Sequence, residues 1–224
     1  MGLDVEERWL RVLEHARGYA PDAFFLTGDF CAHEPAAHVY RRMARHLRDL
    51  EVPVFLTPGN HDDRTFMRNY FPLDGQNNQS IYGIAELKGQ IFLFLDTLDG
   101  SLNNEQEDWL EAKLREYPGA HIVKHHPPFS LGIPFMDRKY PLRHNERLLE
   151  LLRSTPGNTQ VFCGHYHSGR SVRTDYCTVH LCPPTSFFIN PTAEEFTRDE
   201  LPPAYQQLEW TEEGELRVVP IYVA

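Results

Sequence analysis

The stretch Pro58-Gly59-Asn60-His61-Asp62 closes an apolar run, Val52 to Leu56, and limits what this chain can become more than any other segment. A β-branched and aromatic run that stops at Pro-Gly reads as a buried strand handing its last residues to a loop. Loops at the carboxyl ends of parallel strands carry the chemistry of open α/β sheets. Three further runs end the same way, at Thr27-Gly28-Asp29, at Lys124-His125-His126-Pro127 and at Cys163-Gly164-His165-Tyr166-His167. Four strand ends presenting oxygen and imidazole donors point to a metal site.

The elements between these loops alternate. Asp4 with Glu7 predicts a helix start, with Val5, Trp9, Val12, Leu13 and Ala16 at helical spacing and Gly18 as its end. A strand over Ala23–Leu26 follows. A helix then runs from near Pro35 to Leu50, ahead of the Val52–Leu56 strand. This alternation predicts an α/β protein with a parallel sheet under helices. Beyond a short helical segment, Arg64–Phe71, the runs Ser80–Leu87 and Ile91–Leu95 flank Lys88-Gly89-Gln90 and read as a hairpin. Asn104 with Glu107 predicts the cap of a helix whose inner face is Trp109, Leu110, Leu114 and Tyr117. Phe129–Pro141 reads as a flap over whatever His125 binds. A helix near Asn145–Arg153, a strand over Gln160–Cys163 and four short tail strands complete the pattern.

Composition narrows the function. At 224 residues, with 41% hydrophobic and 12% aromatic content, residues 1–224 are expected to form one domain with a substantial core. The net charge of −10, without a cluster of Lys and Arg, argues against a nucleic-acid surface. Phosphate-bearing small molecules stay compatible, because bound cations reverse the local field of an acidic protein. Cys31, Cys163, Cys177 and Cys182 fall in or beside apolar runs without a tight pairing pattern, and read as reduced thiols. With no apolar run of the ~18 residues a membrane span needs, and no signal peptide, a cytoplasmic protein is expected.

Among the candidate ligands, Asp29 is a carboxylate that can bridge two cations, and Asn60 is a neutral oxygen donor. His125, His165 and His167 offer imidazole nitrogens, with His165 and His167 free to serve one ion each. Such a mixed set suits Zn, Mn, Fe or Co. His61, next to Asn60, is better placed as a donor to substrate, with Asp62 orienting its ring.

Together, Gly28-Asp29, Gly59-Asn60-His61-Asp62, His125-His126-Pro127 and Gly164-His165-Tyr166-His167 resemble the calcineurin-like metallophosphoesterase superfamily over nearly the whole chain. Leu95-Asp96-Thr97, His125-His126-Pro127-Pro128 and Met136-Asp137 narrow the resemblance to bacterial class III cyclic-nucleotide phosphodiesterases and their glycerophosphodiesterase relatives. The resemblance implies a four-layer α/β/β/α sandwich and a binuclear metal centre. Asp29 would bridge two ions, Asn60, His125 and His165 would complete one, and His167 would serve the other. His61 would donate to the phosphate or leaving group, and His126 would line the pocket. The implied reaction is in-line attack by metal-bound hydroxide on cyclic nucleotides or small phosphodiesters.

The family also opens with a strand ending in Asp-x-His, which nothing in this sequence matches. The expectation is therefore an amino-terminally shortened domain, by a start placed at an internal Met or by nature, with that first strand missing. Its first ion would keep Asp29, Asn60, His125 and His165, and its second only Asp29 and His167. This leaves open a catalytically impaired one-metal binding protein. It also predicts poor solubility, or a homo-oligomer formed through the exposed strand edge.

Overall fold

The computed structural model describes residues 2–224. α1 (Val5–Arg17) begins where Asp4 Oδ1 accepts the Glu7 N–H at 2.9 Å, and ends at Gly18. β1 (Phe24–Leu26), α2 (Ala37–Arg48) and β2 (Val54–Leu56) follow, with β1 and β2 paired in parallel, Leu26 opposite Leu56. α3 (Arg64–Tyr70) is capped by Asp63 Oδ1, which accepts the Phe66 N–H at 2.7 Å. β3 (Gly83–Leu87) and β4 (Gln90–Phe94) form the expected hairpin, turned at Lys88-Gly89, both with positive φ. α4 (Asn104–Glu116) is capped by Asn103, one residue before the expected position, because its Oδ1 accepts the Gln106 N–H at 2.9 Å.

β5 (His121–Val123) leads into the flap, which contains a short helix, α5 (Pro134–Lys139). α6 (Glu146–Ser154), β6 (Thr159–Cys163), β7 (Arg170–Arg173) and β8 (Cys177–Leu181) follow. The tail forms a two-residue pair, β9 (Phe188–Ile189) with β10 (Arg198–Asp199), and a hairpin, β11 (Ala204–Trp210) with β12 (Leu216–Tyr222). The six-stranded sheet runs β3-β4-β5-β6-β8-β7, parallel within and antiparallel at both edges.

Side-chain alternation along the strands separates three apolar clusters and hence four layers. Leu93, Ile122, Val161 and Val179 face Leu110, Leu114, Leu148 and Leu152 of α4 and α6. On the other side of the same sheet, Phe92, Phe94, Val123 and Phe162 meet Phe25 and Phe55 of β1 and β2, and Leu208, Trp210, Leu216 and Val218 of the tail hairpin. Behind β1 and β2, Phe24, Leu26 and Val54 pack against α1, α2 and α3 through Leu13, Tyr40, Leu47 and Met67. The order is α/β/β/α, as expected. The edge chemistry of β1 is distinctive. Phe24 N–H donates to the Pro53 carbonyl and the Leu26 carbonyl accepts the Thr57 N–H, so the intervening Phe25 turns its N–H and C=O to the opposite edge. No strand pairs with that edge among the described residues, and all three β1 residues are half-buried. Native-state hydrogen exchange is expected to find the Phe25 amide exchanging orders of magnitude faster than that of Ile122, which sits fully buried in the sheet centre. Equal protection would show that this edge is covered in solution.

Candidate metal centre

The carboxyl ends of β1, β2, β5 and β6 reach one rim of the two facing sheets, which is where the chemistry collects. The first two loops touch through glycine. A Cβ on Gly28 would lie 2.4 Å from Gly59 N and 2.8 Å from His125 Nδ1, and one on Gly59 would lie 2.2 Å from Asp29 Oδ1. Any side chain at either position would force the loops apart and displace Asp29.

Three donor atoms converge there. Asp29 Oδ2 lies 3.2 Å from His125 Nε2, which lies 3.1 Å from His165 Nδ1, and one donor atom from each residue falls within 4.8 Å of the others. The remote ring nitrogens are committed elsewhere. His125 Nδ1–H donates to the Thr27 carbonyl at 2.6 Å, and His165 Nε2–H donates to the Tyr140 carbonyl at 3.0 Å. Those bonds fix both tautomers so that the inner nitrogens offer lone pairs to each other and to a carboxylate. Lone pairs at that separation repel unless a proton or a cation lies between them, so the donor set fits a divalent ion with mixed N/O ligation. Burial drives His165 down to about 3 and keeps it neutral. Burial would raise the Asp29 carboxyl, but the His125 imidazole and the His61 N–H outweigh it and hold the group ionised. Burial likewise opposes charge on His125, and Asp29 overturns it, raising the imidazole.

Comparison with known proteins places this arrangement. The family model described as calcineurin-like phosphoesterase matches residues 4–169. The chain belongs to the calcineurin-like phosphoesterase family. It is 30% identical over 212 residues to a protein of Fibrobacter succinogenes named "probable cyclic nucleotide phosphodiesterase", covering 94% of this chain and 82% of that one. It is 32% identical over 202 residues to the glycerophosphodiester phosphodiesterase GpdQ of Enterobacter lignolyticus, covering 82% and 70% respectively. In fold it is similar to a dimetal phosphatase from Danio rerio, with a TM-score of 0.58 at 14% identity over 96% of this chain and 88% of that chain. Calcineurin-like phosphoesterases use divalent metals, and Asp29, His125 and His165 form a group that could hold one here.

The remaining expected residues of this phosphoesterase take distinct positions. Asn60 is exposed and its amide makes no hydrogen bond among the described residues. It is held beside Asp29 by its neighbour, since the His61 N–H donates to Asp29 Oδ1 at 3.0 Å. His167 donates from Nδ1 to the Phe187 carbonyl at 2.9 Å and lies outside the three-residue group, near enough to feel Asp29 and His125 electrostatically. Asp29, His165 and His167 all adopt left-handed backbone, at φ of 59°, 69° and 48°. Few non-glycine residues hold that conformation, and aspartate and histidine are among those that do so most readily.

One expectation is corrected. Asp62 does not orient the His61 ring. Its carboxylate accepts the N–H groups of Asp29 and Gly59 on Oδ2, both at 2.8 Å, and the Phe30 N–H and Tyr40 hydroxyl on Oδ1, both at 3.0 Å. Burial pushes its carboxyl up to about 6, against donors that favour the charge. The His61 ring instead donates from Nδ1 to the His33 carbonyl at 3.1 Å. His126, expected to line the pocket, is as buried as the candidate ligands His125 and His165, at 4% exposure, and packs against both. Its ring lies 4.1 Å from that of His165 and its Nδ1 is 2.9 Å from Thr97 Oγ1. The orienting groups that sequence reasoning missed are mostly backbone carbonyls, of Thr27, His33, Tyr140 and Phe187. Every residue owns a carbonyl, so no residue type announces them.

The motif Leu95-Asp96-Thr97 has a structural role. Asp96 receives both Nε and Nη2 of buried Arg64, at 2.7 and 3.0 Å, and the N–H groups of Ile81 and Leu98. This fixes the turn from which Thr97 reaches His126. No helix among the described residues is long and apolar enough to cross a membrane.

Proposed function

We propose that this phosphoesterase is a divalent-metal-dependent phosphodiesterase acting on cyclic nucleotides or small phosphodiesters. The observation that carries the reading is the convergence of Asp29 Oδ2, His125 Nε2 and His165 Nδ1, with both imidazoles tied back through their other nitrogen. The names of the relatives from Fibrobacter and Enterobacter support the substrate class. Asp29, Asn60, His125 and His165 would hold one ion, and Asp29 with His167 a second, with Mn, Fe, Zn or Co all suited to the donors. When bound, such ions polarise the phosphoryl oxygens and lower the pKa of an attacking water. His61, tethered at Nδ1, leaves Nε2 free, and as the imidazolium it would donate a proton from there to the departing alkoxide. The four cysteines are unpaired, which supports a reducing cytoplasmic setting.

A second reading, a one-metal binding protein without turnover, is favoured by the absence of His167 from the three-residue donor group. Metal analysis with turnover separates the two. Two equivalents per chain, with hydrolysis of bis-(p-nitrophenyl) phosphate in Mn(II) or Fe(II), are expected for the enzyme. His61→Ala is then expected to lower kcat by about 10²- to 10⁴-fold while leaving metal content intact. One equivalent and no hydrolysis would favour the binder. Turnover independent of His61 would remove its assigned role.

A further inference from the structure

An unbroken arc of aromatic rings joins the two candidate ligand histidines of the Gly164–His167 loop. From His165 it passes to Tyr140 at 6.4 Å between ring centroids, then to Phe135 at 5.8 Å, and to Phe196 at 5.9 Å. From Phe196 it returns through Phe187, at 6.2 Å, to His167 at 4.4 Å. These rings come from two separate segments, the flap around α5 and the tail loop around β9 and β10. Arg138 clamps the segments together by donating to Glu194 Oε2 at 3.1 Å and Glu195 Oε1 at 3.0 Å. Phe135 is the buried floor of the arc at 6% exposure, whereas Phe196 and Tyr140 are 55% and 48% exposed.

Two open rings on a clamped scaffold beside a metal centre form a stacking surface, since ring faces favour other ring faces in offset or edge-on contact. The charges on these segments are engaged locally. Arg138 is matched by Glu194 and Glu195, Lys139 lies over the Phe135 ring, and the Asp137 carboxylate turns back to the Leu131 and Ile133 N–H groups. An uncharged aromatic wall does not suit a second phosphate or a polyanion. It suits a neutral planar heterocycle. We infer that the Tyr140–Phe135–Phe196–Phe187 arc is the base-binding wall of the site, selecting phosphodiesters that carry a nucleobase over those with an aliphatic headgroup. This rests on the phosphodiesterase reading above and narrows it to nucleotides.

The test compares wild type with Phe196→Leu, which stays apolar but loses the ring, and Phe196→Trp, which restores one. With the Mn(II)-loaded protein, the ratio of kcat/KM for 3′,5′-cyclic AMP to that for glycerophosphoethanolamine is expected to fall about tenfold in F196L, through KM, and to recover in F196W. Equilibrium dialysis of AMP is expected to show its Kd raised about tenfold in F196L, without any need for turnover. An unchanged ratio and an unchanged AMP affinity in F196L would overturn the inference, as would failure of F196W to restore them. If wild type hydrolyses neither substrate, the phosphodiesterase reading fails, and the AMP measurement still decides the wall: tight AMP binding that needs the ring supports it, and indifference to the ring rejects it.

Discussion

Asp62→Ala is expected to lose about 4 kcal/mol of stability and to weaken metal binding by at least 10- to 100-fold. The side chain is buried, so both effects arise from what it holds. Four donors from three segments meet on its carboxylate: the N–H groups of Asp29 and Phe30 after β1, that of Gly59 after β2, and the Tyr40 hydroxyl from α2. Alanine leaves all four facing an apolar gap, and each orphaned buried donor costs roughly 1–3 kcal/mol before water or relaxation recovers part. A loss near 4 kcal/mol in a chain of this size corresponds to a fall in Tm of roughly 8–16 °C. The same lost bonds release Asp29 from its left-handed conformation, which turns a structural substitution into a metal-binding one. Asp62→Asn should lose less, because one oxygen still serves two donors while the amide nitrogen confronts the others. Differential scanning calorimetry with a Mn(II) titration checks both effects. If D62A melts within about 2 °C of wild type and binds Mn(II) normally, the loops are held by something other than this carboxylate.

The opposite sign is expected at Lys124. Its side chain is fully buried in the apolar layer against the helices, and its ammonium nitrogen has no hydrogen-bond partner. Burial drives the amine down to about 7, with the thiols of Cys163 and Cys177 pulling weakly the other way. In the unfolded chain the same amine titrates near 10.4, so between about pH 7 and 10.4 the unfolded state holds a proton that the folded state has released. Stability should therefore rise with pH across that window. Below it, the folded protein carries the full cost of the buried charge. Lys124→Met keeps the length and removes the charge, and should stabilise by about 4 kcal/mol at pH 7 and below. It should also flatten the dependence between pH 7 and 10.4. Urea unfolding at several pH values reads both. Equal stabilisation at pH 7 and 10.5 would assign the gain to packing alone.

Much of the architecture was legible because its determinants are local. Asp4 and Glu7 start α1, Gly18 ends it, and the Lys88-Gly89 turn sets the first hairpin. The four strand-end loops pointed to a metal site because carboxylate, amide and imidazole donors recur after short apolar runs. The structure gathers Asp29, His125 and His165 there. What escaped the sequence was long-range or too short for any period to show. β9 and β10 are two residues each. α5 did leave a signal, Pro134 at its first turn and Asp137 three residues on, but a flap rich in Pro and Gly reads as loop. Asp62 follows His61 directly, and adjacency suggested a partnership. The chain turns between them, sending the Asp62 side chain into the core and leaving His61 half-buried. Tyr40 sat among the apolar positions of α2, and nothing in helical spacing says that its hydroxyl reaches another loop.

The left-handed backbone at Asp29, His165 and His167 restricts substitution there twice over. Aspartate, asparagine and histidine are the side chains that tolerate this conformation best after glycine, and they are also among the commonest cation donors. Stereochemistry and coordination thus filter for the same small alphabet. A glutamate or cysteine introduced to retune the ion would carry a conformational penalty before its first bond formed.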